Sequence, residues 1–447
     1  MADLVCFTNC YLPQEDGSIV RKDLWIDSQS GHILDAQKTF YLSRQRPTKI
    51  IDLGGNILSP GFLDIQINGA YGFDFSIYED DEKYNAGLRM VATRIVETGV
   101  TSLLPTIITQ QRSLYPKLLS LLHPHTYPPS APQPSEKSPA VGEEEESSAT
   151  NGGGATLLGW HAEGPFLQTA KRGAHAQPFL VSAPDRMTTF EEVYGADNLK
   201  PAVQGDDGDS LGVRVITAAP EVDGVMDSIE PLAQRGVIFS VGHSIATSPL
   251  ATRAVLSGAR LITHLFNAMP QLHHRDPAII GLLGAGGLYS TCEGDTYARP
   301  YYGLIVDGIH SHPNSVRLAY NAHPEGCILV TDAMSFLDPH LPDGAHDWRD
   351  GRRVFKRGDK LVIDGTDTLA GSVVTLDTCI RNFSLFTSTP LAKSLLCATL
   401  HPAQCLGIEA RKGTLRAGAD ADLVVLDWEG QPLQTWVAGR KVWTKAI

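Results

Sequence analysis

Short apolar runs recur along the middle of the chain, and each ends in polar residues or leads into a segment with helical spacing. Eight of them predict β-strands: GFLDIQI, GVTSLLPTI, TLLGWHAE, GVRVITAAPE, GVIFSVGHS, ARLITHLFN, YYGLIVDGIH and GCILVTDA. Several segments between them place apolar residues at helical intervals and close on glycine, as in LRMVATRIVETG and SPLATRAVLSGA. This alternation of strand and helix predicts an α/β fold of the (β/α)8 TIM-like barrel type.

The two ends of the chain follow a different pattern. Residues 1–58 and 413–447 contain short β-like runs separated by turn residues, among them LVCFTNCYL, KIIDLGG and DADLVVLDW. A small β-sandwich domain built from both chain termini would bury the apolar faces of these runs and bring the termini together. Residues 59–412 then form the predicted barrel domain.

One segment inside the barrel domain has almost nothing to bury. Residues 124–155 combine proline, serine and glycine with the acidic run EEEE. Such a composition favours a disordered insertion in a surface loop. We expect it to act as a spacer without chemistry of its own.

Composition restricts the partners and the compartment. The chain of 447 residues has 37 Lys and Arg against 50 Asp and Glu, a net charge of −13, and no basic stripe, so we do not expect it to bind nucleic acid. It has neither a signal-peptide pattern nor a run of about 18 apolar residues, so no membrane association is expected. Seven scattered cysteines without a Cys-x-x-Cys pair favour a reducing compartment. These features predict a cytoplasmic protein.

Candidate metal ligands stand at the C-terminal ends of the predicted strands, where barrel enzymes build their active sites. Glu163 ends the third strand run, and His243 and His264 lie at the ends of the fifth and sixth. Each residue alone is more typical of a solvated or hydrogen-bonded strand end, but a barrel brings all three together. Two imidazoles and one carboxylate leave coordination positions open, which predicts one catalytic divalent metal. Zinc is our first expectation, while iron, cobalt and manganese suit the same donors.

Further polar residues are predicted around the same mouth. Asp332 ends the eighth strand run, where a carboxylate beside a metal can act as general base and then general acid, although an Asp in that position also caps turns. Arg275 in a loop, His310 at a strand end and His175 in KRGAH add donors that suit an anion. We therefore expect an anionic substrate.

The first strand raises a question about the metal. It begins PGFLD and ends in Gln66 and Asn68, where many metal hydrolases carry His-x-His. We interpret this pair as favouring one metal rather than two. Gln66 is a candidate contact for water or substrate rather than a direct ligand.

Taken together, these segments resemble a known family. PGFLDIQINGAYG, HAEGPF, KRGAH, VGHS, THLFNAM, VDGIH, LVTDAM, LAGS and GTLRAGADADLVVLD occur in order and span nearly the whole chain. They are similar to those of the N-acetylglucosamine-6-phosphate deacetylases of the amidohydrolase superfamily. HAEGPF and THLFNAM are the specific motifs, whereas PGFLD and ADLVVLD mark only the superfamily.

The resemblance implies a function and a set of site residues. It implies metal-dependent hydrolysis of N-acetyl-D-glucosamine 6-phosphate, with one divalent metal on Glu163, His243 and His264 and with Asp332 as the acid/base. It also implies a homodimer, in which Arg275 and His310 serve either their own site or that of a neighbouring subunit. The implied contacts to the sugar phosphate are His175, Asn267, Ala268, Arg275, His310, Leu369, Ala370 and Gly371.

Two alternatives stay open at the level of sequence. One is another amidohydrolase, either a cyclic amidase or a deaminase, although those typically keep the His-x-His that this chain lacks. The other is a catalytically silent barrel that binds amino-sugar phosphates or a partner protein. A silent descendant is expected to lose its ligands or its acid/base, whereas Glu163, His243, His264 and Asp332 are all present.

Overall fold

A computed structural model describes residues 3–121, 125–126, 153–200, 212–284, 289–290, 296–348 and 352–446. Most of the predicted insertion, residues 127–152, lies outside these ranges, so its disorder stays a prediction. At the edges of the insertion, Thr126 pairs with Thr156 and Ala155 is buried. The described cysteines are all free thiols: Cys6, Cys10, Cys327, Cys379, Cys397 and Cys405.

Eight parallel strands among the described residues form a barrel, as the apolar runs predict. Each strand pairs with the next one along the chain, from the first to the eighth. The strands are Phe62–Ile67, Val100–Ile108, Trp160–Glu163, Val213–Ala218, Ile238–Val241, Leu261–Ile262, Tyr301–Leu304 and Cys327–Leu329. They are almost entirely buried, as expected for a parallel sheet covered on both faces.

Hydrogen bonds beyond the eighth strand close the barrel. The backbone N–H of Asp332 donates to the carbonyl oxygen of Gln66 at 2.8 Å. The hydroxyl of Thr331 donates to Asp64 Oδ2 at 2.6 Å. These bonds place the residues after the eighth strand beside the first strand, which brings Asp332 next to Gln66 and Asn68.

Helices cover the outside of the barrel and connect its strands. Between the sixth and seventh strands, the part of the chain that the structure describes contains the 3-10 helix Ala278–Gly284. Among the described residues, no helix combines the length and the apolar character needed to cross a membrane. The α-helices of the connections are Asp81–Ile95, Tyr115–Leu121, Met187–Tyr194, Ile229–Gln234, Ser248–Leu256, Pro313–Ala322 and Leu376–Thr387, with Leu391–Leu396 and Leu400–Leu406 after them.

Both ends of the chain build a separate β-structure from two sheets. The four-stranded sheet contains Leu4–Thr8, Leu24–Asp27, His32–Leu34 and Lys49–Asp52, and the short helix Ala36–Tyr41 lies between its last two strands. The six-stranded sheet contains Tyr11–Pro13, Ile19–Arg21, Ile57–Pro60, Leu423–Leu426, Pro432–Val437 and Arg440–Thr444.

The two terminal sheets share one apolar core. Phe7 from the start of the chain meets Trp436 from its end, with ring centroids 5.0 Å apart. This agrees with the small domain predicted from the termini. The strand Ile57–Pro60 extends across the proposed boundary at residue 58, and the exact domain limits remain a prediction.

A further four-stranded antiparallel sheet was not anticipated from the sequence. It follows the eighth barrel strand and contains Gly344–Asp347, Arg353–Arg357, Lys360–Ile363 and Leu369–Ser372. Its last strand returns to the barrel, where the N–H of Met334 donates to the carbonyl oxygen of Ser372 at 2.9 Å. The sheet therefore stands beside the loop that carries Asp332.

Candidate active site

Glu163, His243 and His264 meet at the C-terminal mouth of the barrel. Glu163 is the last residue of the third strand, and each histidine follows its own strand by two residues. The Nε2 atoms of His243 and His264 lie 2.8 Å and 3.2 Å from Glu163 Oε1 and 3.0 Å from each other. All three side chains are buried. One donor atom from each lies within 4.8 Å of the others.

The hydrogen bond of His243 leaves a ring nitrogen free to bind a cation. His243 Nδ1 lies 2.8 Å from the carbonyl oxygen of Lys171, which can only accept, so Nδ1 carries the proton and Nε2 presents its lone pair. Two imidazole nitrogens and one carboxylate oxygen thus converge on a single point. A carboxylate with two imidazoles suits one divalent metal with open coordination positions.

The backbone at these positions is unusual. His243, His264 and Asp332 have φ angles of 49°, 27° and 46°, in or near the left-handed region that non-glycine residues rarely adopt. Each of the three lies just beyond the end of a barrel strand. Backbone strain that is concentrated in this way is typical of functional sites, where the surrounding structure holds side chains in place.

Gln66 and Asn68, the pair at the end of the first strand, each hold one of the site carboxylates. Gln66 Nε2 donates to Glu163 Oε2 at 3.2 Å, so Glu163 keeps Oε1 directed at the histidines. Asn68 Nδ2 donates to Asp332 Oδ1 at 2.8 Å. The two amides therefore orient the carboxylates of Glu163 and Asp332.

Asp332 is buried beside the metal-ligand group. Burial, together with the charge of Glu163, raises the pKa of Asp332 to about 6, although His264, Asn68 and His310 act in the opposite direction. A carboxyl group with a pKa just below neutral is ionised at pH 7 and can still exchange a proton readily. This electrostatic environment suits an acid/base.

The charges inside the ligand group are strongly coupled. Burial by itself raises the pKa of Glu163, but the neighbouring side chains of His175, His243 and His264 outweigh it and hold that pKa well below its usual range. Burial and the nearby His175 lower the pKa of His243, which favours its neutral, ligating form. Burial also works against the charge on His264, yet Glu163 prevails and raises the pKa of His264 to about 9. A bound cation would take the place of the His264 proton.

His175 joins the same buried group. The N–H of Thr109 donates to His175 Nδ1 at 3.2 Å, so the proton of a neutral ring is on Nε2. That nitrogen lies 3.7 Å from Glu163 Oε1, and the ring packs against His243 with centroids 4.5 Å apart. His175 therefore directs an N–H group into the mouth of the barrel.

His310 lies on the loop after the seventh strand and is mostly buried. Its Nδ1 atom lies 2.5 Å from Asp307 Oδ2, which fixes the orientation of the ring. The charge of His310 acts on Asp332 and lowers the pKa of that carboxyl group. Sequence reasoning missed Asp307, although its place three residues before His310 in VDGIH was a usable signal.

Of the loop residues after the sixth strand, Asn267 and Ala268 lie near the ligand group and Arg275 does not contact it. The N–H of Asn267 donates to the carbonyl oxygen of His264 at 2.9 Å. The N–H of Ser244 donates to the carbonyl oxygen of Ala268 at 3.2 Å. Arg275 is exposed. Among the described residues, no hydrogen bond or ion pair joins the Arg275 side chain to Glu163 or its neighbours.

The segment Leu369–Gly371 belongs to the last strand of the additional sheet. Leu369 is 38% exposed, whereas Ala370 is buried. Gly371 has a φ of 127°, and a Cβ atom there would lie 2.3 Å from Met334 Cγ. A glycine is therefore required for this strand to approach the loop after Asp332.

Two buried residues of the barrel interior were also missed from the sequence. Asp64 of PGFLD accepts the Thr331 hydroxyl, and burial raises its pKa to about 7. His161 of GWHAE bonds to Ile65 and Thr217 beneath the ligand group, and burial lowers its pKa to about 4. Residues two apart on a strand face the same side, so the position of His161 two residues before Glu163 was a usable signal in the sequence.

Comparisons with known proteins agree with this geometry. The model of the amidohydrolase family matches residues 221–442. A curated N-acetylglucosamine-6-phosphate deacetylase from Bos taurus is 40% identical over 448 residues, covering 99% of this chain and 96% of the relative. The chain belongs to the N-acetylglucosamine-6-phosphate deacetylase family. This confirms the resemblance drawn from the motifs.

Solved structures of this deacetylase family share the fold. The enzyme from Pasteurella multocida superposes with a TM-score of 0.73 at 24% identity, covering 99% of this chain and 100% of the other. A mutant of the Mycobacterium smegmatis enzyme superposes with a TM-score of 0.72 at 25% identity, covering 99% of this chain and 100% of the other. That mutant was solved in complex with N-acetyl-D-glucosamine-6-phosphate. The predicted barrel with a separate β-domain is confirmed.

Proposed function

We propose that this protein hydrolyses N-acetyl-D-glucosamine 6-phosphate to D-glucosamine 6-phosphate and acetate. The observation that carries the proposal is the convergence of Glu163, His243 and His264 beside the buried Asp332 at one barrel mouth. These residues lie in a chain that aligns over 99% of its length with a curated N-acetylglucosamine-6-phosphate deacetylase. The reaction adds water across the amide, so that the acetyl C–N bond breaks and the amine leaves with a proton.

Glu163, His243 and His264 would hold one divalent metal, with zinc as our first expectation. When bound, such a cation polarises the acetyl carbonyl and makes water more acidic. Gln66 contributes by holding Glu163 Oε2, while the carbonyl of Lys171 holds the His243 ring. Because Gln66 and Asn68 replace the His-x-His pair and bond to protein carboxylates, one metal is proposed rather than two.

Asp332 is the proposed acid/base. Asn68 occupies Asp332 Oδ1, which leaves Oδ2 to accept the proton of the attacking water. The same oxygen then returns the proton to the departing amine nitrogen. Its pKa of about 6 suits both directions of transfer near neutral pH.

The remaining predicted residues would position the substrate. His175 presents Nε2–H beside Glu163, where an acetyl or sugar oxygen would accept it. His310, held by Asp307, would donate to the phosphate. Contacts to the phosphorylated end supply orientation at the distant amide. The other proposed contacts are Asn267, Ala268, Arg275, Leu369, Ala370 and Gly371.

We further propose that the protein acts as a cytoplasmic homodimer. Arg275 is exposed, and among the described residues its side chain makes no hydrogen bond or ion pair with the ligand group of its own chain. We therefore propose that it reaches the phosphate in the site of the neighbouring subunit. His310 acts on Asp332 of its own chain and would serve that site. Phosphate binding would then be shared across the interface.

The reaction is tested by acetate release from metal-replete protein. Acetate is expected from N-acetylglucosamine 6-phosphate and far more slowly from the unphosphorylated sugar, because the phosphate contacts are then lost. No acetate from the phosphorylated sugar would overturn the proposal. Ring opening of a cyclic amide, or release of ammonia from an aminopurine, would instead favour another amidohydrolase. Binding of the sugar phosphate without turnover would favour a silent barrel.

Arg275→Ala should mainly raise KM for the phosphorylated sugar, since loss of one charged hydrogen-bond partner costs about 1.5–3 kcal/mol, or roughly 10- to 150-fold. Steady-state kinetics on the phosphorylated sugar measure the change. Arg353→Ala, at an exposed position on the additional sheet, is the matched control. An unchanged KM in Arg275→Ala would place the phosphate elsewhere.

Subunit mixing tests whether Arg275 acts across the interface. Arg275→Ala and Asp332→Asn proteins are unfolded and refolded together, then assayed at low substrate. If Arg275 serves its neighbour, mixed dimers contain one complete site and regain activity. If it serves its own chain, every site lacks one residue and no activity returns.

A further inference from the structure

A continuous chain of hydrogen bonds runs through the barrel interior beneath the metal-ligand group. His161 Nδ1 lies 3.1 Å from the carbonyl oxygen of Ile65, and His161 Nε2 lies 2.7 Å from Thr217 Oγ1. Thr217 Oγ1 lies 2.7 Å from Thr263 Oγ1, which lies 2.5 Å from Ser240 Oγ. The side chains of His161, Thr217, Thr263 and Ser240, named here the interior clasp, are all buried.

The Ile65 carbonyl determines the direction of every bond in the clasp. A carbonyl oxygen only accepts, so the His161 proton is on Nδ1 and Nε2 accepts the Thr217 hydroxyl. Thr217 then accepts from Thr263, which accepts from Ser240. Each hydroxyl donates once, and His161 is satisfied at both nitrogens. Barrel interiors are usually filled by branched apolar side chains. A network of polar side chains that are all hydrogen-bonded at this position therefore indicates a specific role.

The clasp links the strands that carry the proposed metal ligands. His161 lies two residues before Glu163, and residues two apart on a strand share a face, so His161 lies directly beneath the ligand carboxylate. Thr263 immediately precedes His264, and Ser240 belongs to the strand that leads to His243. The sixth strand contributes only Leu261–Ile262 to the sheet. Beyond it, single backbone bonds hold the residues on either side of His264, from Thr263 N–H to the Val241 carbonyl at 3.0 Å and from Leu265 N–H to the Gly303 carbonyl at 2.8 Å. The clasp adds a side-chain bond at Thr263 to this backbone support.

We propose that His161, Thr217, Thr263 and Ser240 are positioning residues that hold Glu163, His243 and His264 in register and thereby set the metal affinity of the site. This inference rests on the proposed one-metal function. The clasp contributes no ligand atom and acts through the geometry of the residues above it. Residues hydrogen-bonded directly to metal ligands typically contribute about 10- to 100-fold to metal affinity, and the clasp, one step further from the metal, is expected at the lower end of that range.

The test measures zinc affinity of the full-length protein by competition with a chelator. Thr217→Val keeps the side-chain shape and removes the hydroxyl that bonds to His161 and Thr263. Thr263→Val removes in the same way the hydroxyl of the residue that immediately precedes His264. Each should raise the Kd for zinc by about tenfold. His161→Phe, which removes both nitrogens from the clasp, should weaken binding at least as much.

Two matched variants separate positioning from a general loss of stability. Thr435→Val removes a buried hydroxyl that donates to the carbonyl of Val96 at 2.7 Å, away from the site. His401→Phe removes a buried imidazole that lies 2.8 Å from the carbonyl of Cys327. Both are expected to lower Tm while zinc Kd stays within about twofold of wild type.

The outcomes distinguish this inference from the proposed function. Tight zinc binding by wild type, together with an unchanged Kd in Thr217→Val and Thr263→Val, would overturn the clasp alone. Equal weakening in the Thr435 and His401 variants would overturn it too, because the effect would then be general. Failure of wild type to bind zinc would overturn the metal site itself, and this inference with it. If His161→Phe does not fold, the two valine variants decide.

Discussion

Asp332→Asn should lower kcat for deacetylation by about a thousandfold or more, since acid/base catalysis typically contributes 10²–10⁴ and this residue would act in both proton transfers. Asn68 Nδ2 donates to Oδ1 of Asp332, and an asparagine oxygen accepts the same bond. The substituted amide would therefore keep its orientation and place an NH₂ group where the accepting Oδ2 stands. The site keeps its shape and loses its base.

Metal content measured alongside kcat makes this prediction specific. Asp332→Asn should bind metal at the wild-type stoichiometry, because the proposed ligands are Glu163, His243 and His264. Asp338→Asn is the matched control, since Asp338 lies on the same loop but pairs with Arg94 at 3.3 Å outside the site. Turnover near the wild-type rate in Asp332→Asn would remove Asp332 from its role.

The second large effect is expected from the ligands themselves. Glu163→Gln should weaken zinc binding by more than about a hundredfold, because outer partners alone contribute up to that much and this change removes the only proposed anionic ligand. Activity at limiting zinc should fall with the bound metal. Inductively coupled plasma mass spectrometry on dialysed protein measures the loss.

Gln66→Ala provides the comparison for Glu163→Gln. It removes the 3.2 Å hydrogen bond to Glu163 Oε2 and leaves all three ligand side chains in place. Zinc should bind to this variant with an affinity between those of wild type and Glu163→Gln. Stoichiometric zinc in dialysed Glu163→Gln would show that the metal lies on other residues.

Much of the architecture follows from local patterns in the sequence. The eight barrel strands are recognisable because each is a short buried run bounded by turn or helix signals. Glu163, His243, His264 and Asp332 stand out because polar residues at the ends of such runs must face the barrel mouth. The terminal sandwich follows from β-like runs at both ends with apolar faces to bury.

The contacts between strands were not predictable in the same way. Gln66 meets Glu163 and Asn68 meets Asp332 because of the stagger at which the barrel closes, and no local pattern encodes that stagger. The interior clasp, together with the Ile65 carbonyl that it bonds to, depends on how five strands are staggered relative to one another. In the first two strands of the sheet over 344–372 only Val354 is buried, so the apolar signal of this sheet was faint.

The central claim is that one metal on Glu163, His243 and His264 carries deacetylation, and titration of metal-stripped protein tests it most directly. Zinc is added in steps to a known concentration of chains, and acetate release from N-acetylglucosamine 6-phosphate is followed at each step. The account predicts negligible release without metal and a linear rise that ends at one zinc per chain. A rise that continues to two zinc per chain, or full activity in the stripped protein, would contradict it.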